Sequence, residues 1–179
     1  CQAEFSLHMD NRITLIGMIG KFSRMKGFGL VIETIESLLD TLPMQFVVLG
    51  GGDSPESRYF LQLPSRKSFR AGSFIGYDER KAHLLVAGCD LFLMPSLFEP
   101  SGVYQLHAMR YGTPPIVRAI GRLEDTVIDY DDSTGEGTGF KFKDATPHAL
   151  HNIVRWAVET YYDRPSHFSK IICSAMKQS

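Results

Sequence analysis

The sequence predicts an α/β domain of the Rossmann-like, doubly wound parallel type. Short apolar runs bounded by Gly or Pro alternate along the chain with stretches whose apolar residues recur at helical spacing. That alternation gives a parallel sheet covered on both faces by helices. The 179 residues, 44% hydrophobic, suffice for one core, and no internal repeat, low-complexity segment or linker interrupts them. Residues 1–179 therefore read as a single domain.

Ile13–Ile19 is an apolar run ending at Gly20, the first strand. Leu30, Val31, Ile35, Leu38, Leu39 and Leu42 share one helical face, so 26–42 is an amphipathic helix stopped by Pro43. Phe46–Leu49 is a second strand, closed by Gly50-Gly51-Gly52-Asp53. A short helix near Glu56–Leu63 ends at Pro64, and Ser73–Ile75 is a third strand. Asp78 suits the cap of a helix running to about Gly88. Leu91–Met94 is a buried strand, followed by the loop Pro95–Pro100, a helix at Tyr104–Tyr111 and a strand at Pro115–Val117. Beyond Leu123–Val127 lies a polar loop, Asp129–Thr138, then a last short strand at Phe140–Phe142. Thr146-Pro147 opens a helix whose buried face holds Leu150, Ile153, Val154, Ala157 and Tyr161; Pro165 ends it, and a final helix covers about 166–177.

Nineteen basic against 20 acidic residues leave a net charge of −1, without the basic excess of a nucleic-acid binder. No apolar run reaches membrane-spanning length, and no signal peptide is visible. Cys1, Cys89 and Cys173 are far apart and form no CxxC pair, which argues against zinc and for a reducing compartment, with Cys89 a core residue. The chain opens without Met and stops without a closing element, as a piece of a longer protein would.

Ligands of doubly wound sheets bind outside the carboxyl ends of the strands, where helix N-termini suit phosphate. Four segments of this chain fall there. Lys21 and Lys26 follow the first strand in GKFSRMKGFG, where glycines at 20, 27 and 29 let the backbone approach a ligand; a solvated surface turn is the alternative. The GxxxxGK[ST] order is absent, so this is not a P-loop. Gly50–Asp53 is a weaker candidate. Tyr77 ends the third strand and suits stacking on a base, or plain packing. Glu99 lies in a Pro-bounded loop ahead of a helix starting at Gly102, Val103 and Tyr104; it suits sugar hydroxyls or a helix-start role. His83 and His107 read as structural.

Together these segments resemble the glycogen/starch synthase family, retaining glycosyltransferases that extend α-1,4-glucan. GKFSRMKG (20–27) is similar to the family's Arg-Leu-x-x-Gln-Lys-Gly loop, Leu49–Asp53 to its Leu-Gly-x-Gly-Asp turn, and GYDERKAH (76–83) to its Gly-Tyr/Phe-x-Glu…His segment. LMPSLFEPSGVYQLHAMRYGT (93–113) resembles its strongest motif, Met-Pro-Ser-x-Phe-Glu-Pro-Cys-Gly-Leu-x-Gln-Leu…Ala-Met-Arg-Tyr-Gly-Thr, and Phe168–Met176 resembles the helix where that domain's chain begins to cross back. The match spans nearly the whole chain in order.

The resemblance implies the C-terminal half of a GT-B fold and transfer of glucose from ADP- or UDP-glucose to the non-reducing end of a glucan, with retention and without metal or other cofactor. It implies that Lys21 and Lys26 face the diphosphate, that Tyr77 stacks on the base, that Glu99 contacts the donor sugar or ribose, and that the Gly102–Tyr104 backbone holds the phosphates. His107 falls where related retaining transferases carry a second Glu. The glucan acceptor belongs to the missing N-terminal domain. Cytoplasm or plastid stroma fits. Three departures stand out: Lys21 replaces Arg, Ser101 replaces Cys, and Arg122 replaces the second glycine of Gly-Gly-Leu. Arg122 either adds a phosphate contact or obstructs the donor loop. Another GT-B glycosyltransferase, or a non-catalytic nucleotide- or glucan-binding module, remains the alternative.

Overall fold

The computed structural model describes residues 1–100 and 102–178. Six strands form one all-parallel sheet: β1 (Thr14–Ile19), β2 (Met44–Gly50), β3 (Ala71–Ile75), β4 (Leu91–Met94), β5 (Pro115–Arg118) and β6 (Phe140–Phe142), in the order β3-β2-β1-β4-β5-β6. Seven helices connect and flank them: α1 (Phe28–Thr41), α2 (Pro55–Arg66), α3 (Glu79–Gly88), α4 (Tyr104–Arg110), α5 (Gly121–Thr126), α6 (Pro147–Asp163) and α7 (Pro165–Met176). Among the described residues, no helix is long and apolar enough to cross a membrane.

The strand period of two divides the core between the sheet's faces. Ile16, Met18, Phe46 and Val48 pack with α1, α2, α6 and α7 residues such as Phe28, Phe60, Val154 and Ile171. Their neighbours Leu15, Ile19, Val47 and Leu49 pack the other way, against Ala82, Leu85, Ala108 and Leu123 of α3, α4 and α5. Each fully buried Phe, Leu or Ile contributes roughly 1.5–3 kcal/mol of transfer free energy. Strand order reverses between β1 and β4, so the crevice of a doubly wound fold opens beside Gly20 and Pro95.

The structure departs from the sequence reading at several element boundaries. The helix expected from residue 26 starts at Phe28, because Gly27 is left-handed (φ 80°) and closes a separate 3-10 turn at Arg24–Lys26. α2 begins earlier, at Pro55, on a reciprocal cap between Ser54 and Ser57. It also continues through Pro64, since a proline in the last turn forfeits only its own bond while the Lys67 N–H still reaches the Leu63 carbonyl at 3.0 Å. α5 occupies 121–126, where no element was assigned, and β3 starts two residues before Ser73. The expected caps are present: the side chains of Asp78 and Thr146 accept from the N–H groups of Lys81 and Ala149. Cys89 is a core residue, and burial pushes its thiol pKa up.

Candidate active site

Two loops at the switch point build the site. The first leaves β1 through Gly20 and Lys21 and turns at Arg24–Lys26. The second leaves β4 at Pro95. They close on each other: the Met25 carbonyl accepts from the N–H of Leu97 at 2.8 Å and of Phe98 at 3.3 Å. A Cβ on Gly27 would stand 1.9 Å from the Pro95 carbonyl oxygen, so only glycine permits this approach. Gly27 was expected to bring backbone to a ligand. Its missing side chain instead admits the neighbouring loop, and Gly29 faces open space on α1.

This closure joins two residues 73 positions apart. Lys26 Nζ donates to Glu99 Oε1 at 3.0 Å and to Oε2 at 2.8 Å. The Glu99 side chain is only 3% exposed, that of Lys26 37%. Ser96 Oγ donates to the same Oε2 at 3.0 Å. A Cβ on Gly102 would lie 2.7 Å from Glu99 Cγ, so that glycine makes room for the carboxylate. Glu99 is thus held from several sides, and a buried carboxylate of this kind needs such partners.

Lys21, Lys26, Glu99, Gly102, Val103 and Tyr104 line one cavity of about 260 Å³. A neighbouring cavity of about 280 Å³ shares Lys21 and Tyr104 and adds Gly50, Gly51 and Tyr77. Lys21 is exposed and, among the described residues, has no ion pair. Tyr77 is 71% exposed. Burial, then the nearby Tyr77 phenol, raises the pKa of the Tyr104 hydroxyl above its ordinary value. Among the described residues no side chain caps the start of α4 at Tyr104, so the first N–H groups of that helix are open to another acceptor. Two ammonium groups and uncapped amides around one apolar-floored cavity suit a phosphorylated ligand.

Seven of the eight residues singled out from sequence therefore surround these two adjoining cavities. Arg122 stands apart: it is exposed on α5 and lines neither of these two cavities. Its backbone N–H does reach the Glu99 carbonyl, at 3.3 Å. Ser101 lies outside the described residues. His83 Nδ1 is 3.2 Å from the Tyr111 hydroxyl, and His107 meets the Tyr104 ring edge-on at 5.9 Å between centroids; both line a smaller cavity behind Tyr77. No group of three or more His, Cys, Asp or Glu among the described residues is arranged to hold a metal ion. Sequence reasoning missed Ser96 and Arg118. A basic residue at the carboxyl end of a strand is the signal that had drawn attention to Lys21, and it applied equally to Arg118.

The fold is that of the C-terminal domain of GT-B glycosyltransferases. The chain belongs to the family described as "Glycosyl transferases group 1", which matches residues 4–172. It is 40% identical over 175 residues to glycogen synthase 1 of Geobacter metallireducens, covering 98% of this chain and 35% of that protein. It is 41% identical over 178 residues to the glycogen synthase of Aromatoleum aromaticum, covering 98% and 36%. The chain thus spans about a third of the length of the curated relatives it matches. Among solved structures, the catalytic domain of starch synthase IV from Arabidopsis thaliana, bound to ADP and acarbose, superposes with a TM-score of 0.90 at 31% identity, covering 99% of this chain and 37% of that one. Sucrose-phosphate synthase from Thermosynechococcus elongatus shares the fold at a TM-score of 0.73 and 20% identity, covering 98% and 45%.

Proposed function

We propose that this chain is the nucleotide-sugar-binding domain of a longer glycogen or starch synthase. The whole protein transfers glucose from ADP- or UDP-glucose to the non-reducing end of an α-1,4-glucan with retention. The observation that carries this reading is the convergence of Lys21, Lys26, Glu99 and the start of α4 on one cavity at the switch point. The similarity to glycogen synthases and to an ADP-bound starch synthase supports it.

In this reading Lys21, Lys26 and the amides at 102–104 bind the diphosphate and stabilise the charge that develops on it as the sugar leaves. Tyr77 offers its exposed face to the base. Glu99, fixed by Lys26 and Ser96, accepts hydrogen bonds from the donor sugar and orients it. Arg122 lines neither cavity, and its backbone N–H holds the Glu99 carbonyl. The domain uses no metal. The acceptor glucan binds to a preceding domain, and without that domain a bound donor meets no aligned hydroxyl.

Transfer of radiolabelled glucose to glycogen tests the reading. A longer protein containing this chain is expected to transfer from ADP- or UDP-glucose and to lose that activity with Glu99→Ala. The 179-residue chain alone is expected to bind nucleotide and transfer nothing. Nucleotide binding by the longer protein with no transfer to glycogen would favour a binding module or another acceptor.

A further inference from the structure

We propose that Arg118 is a positioning residue that sets the Glu99 carboxylate through the loop after β4; the inference rests on the role given to Glu99 above. Arg118 is the last residue of β5, and its backbone is fixed by pairing opposite Phe142 of β6. Its guanidinium has no carboxylate partner among the described residues. It donates instead to three backbone carbonyls: Nη1 to Ser96 at 3.3 Å and to Leu97 at 3.1 Å, and Nε to Lys143 at 3.0 Å. One rigid fork thereby ties the loop after β4 to the end of β6.

Ser96 links that fork to the site. Its carbonyl accepts from Arg118 while its hydroxyl donates to Glu99 Oε2. Ser96 is buried and lies only three residues before Glu99. A shift of its backbone therefore moves the hydroxyl that orients the carboxylate, and with it the geometry offered to Lys26. Arg118 lines neither cavity and makes no hydrogen bond or ion pair with Glu99 itself, so its influence runs through Ser96 and Leu97. A lysine there keeps the charge but has no planar fork to span Ser96, Leu97 and Lys143 together.

A double-mutant cycle tests this, with ADP-glucose and UDP-glucose affinity of the 179-residue chain read by calorimetry. Arg118→Ala is expected to weaken nucleotide-sugar binding about tenfold when Glu99 is present, as displacement of a positioned group does. In the Glu99→Ala background the same substitution is expected to have less than about a twofold effect, because positioning is lost with the group positioned. Equal losses in both backgrounds would overturn the proposal, since a general loss of stability is additive. Ser96→Ala should reproduce the coupling, and Arg118→Lys, which preserves the cation, serves if Arg118→Ala does not fold. A crystal structure of the unliganded Arg118 variant gives an answer independent of any ligand. Separation of Lys26 Nζ from Glu99 supports the proposal; an unchanged pair at the present distances refutes it. Failure of the unsubstituted chain to bind either donor would instead count against the functional reading, and the variant structure would still decide the role of Arg118.

Discussion

The two ends of the sheet differ in the polar and aromatic groups they leave free. At the amino ends of the strands several polar side chains are committed to the protein's own backbone, although Thr14 Oγ1 is buried without a partner among the described residues. Asp90 Oδ2 accepts from the Leu15 N–H at 2.8 Å. The Tyr162 hydroxyl accepts from the Thr14 N–H at 2.9 Å and lies within 2.9 Å of the Arg12 carbonyl and 2.7 Å of the Pro43 carbonyl. Gln45 Nε2 donates to the His8 carbonyl, and Arg70 Nη2 to the carbonyls of Leu42 and Met44. At the carboxyl ends Lys21 and Tyr77 point their polar or aromatic groups at solvent, and no described side chain caps α4. Glu99, Ser96 and Arg118 at that end are instead engaged within the protein, Glu99 by Lys26 and Ser96, and Arg118 by the carbonyls of Ser96, Leu97 and Lys143. The amino end does hold a cavity of about 420 Å³, but Cys89, Asp90, Thr113 and Phe168 line it and, among the described residues, no lysine or arginine does; the carboxyl end keeps Lys21 and Tyr77 free. Substitutions at the first should therefore cost stability, and at the second, binding.

The largest expected effect crosses that division. Lys26→Ala should weaken ADP or UDP binding by about 10- to 100-fold, the loss of one charge-assisted phosphate contact. It should also lower stability, by about 1–3 kcal/mol, because it strands a buried carboxylate; the partial exposure of Lys26 keeps the figure below that of a fully buried pair. Calorimetry and urea denaturation on one preparation check both. A change in affinity with no change in stability would mean that Glu99 finds another partner.

Tyr77→Ala should separate the two properties cleanly. Loss of a stacked base costs roughly 1–3 kcal/mol of affinity, while removal of a side chain 71% exposed leaves the unfolding midpoint nearly unchanged. Tyr162→Phe should do the reverse. It leaves the Thr14 N–H without its acceptor and should cost about 1–2 kcal/mol in denaturation with nucleotide affinity intact.

The smallest effect concerns pH. Burial raises the Asp90 carboxyl pKa above its ordinary 3.8. The folded state therefore holds this proton more tightly than the unfolded chain, and protonation favours folding. This contribution is present at and below the unfolded value and is lost as pH rises through the folded one. Asp90→Asn should remove that component from a stability–pH curve measured between pH 3 and 7, whereas a curve of unchanged shape would show that Asp90 does not titrate abnormally.

The fold was largely legible in the sequence because the strands are mostly apolar and the helices amphipathic. Leu91–Met94 and Phe140–Phe142 were readable from apolar runs bounded by turns. α5 was not, because six residues starting at a left-handed Gly121 carry one buried side chain, Leu123, and no periodicity. The site was legible as a set of strand ends but not as a set of contacts. Nothing local relates Lys26 to Glu99 or Arg118 to Ser96; the β1–β4 and β4–β5 pairings bring those loops together. Gly27 illustrates the same limit: its left-handed turn could be guessed, but not that the space it leaves belongs to Pro95.

The central claim is that the carboxyl end of the sheet binds a nucleoside diphosphate and the amino end does not. Titration of the isotope-labelled chain with ADP or UDP, followed by amide chemical shifts, tests it most directly. The account predicts saturable shifts at Gly20–Lys26, Gly76–Tyr77 and Gly102–Tyr104, with Leu15, Gln45, Asp90 and Thr113 unmoved. Shifts concentrated at those amino-end residues, or none at millimolar nucleotide, would contradict it.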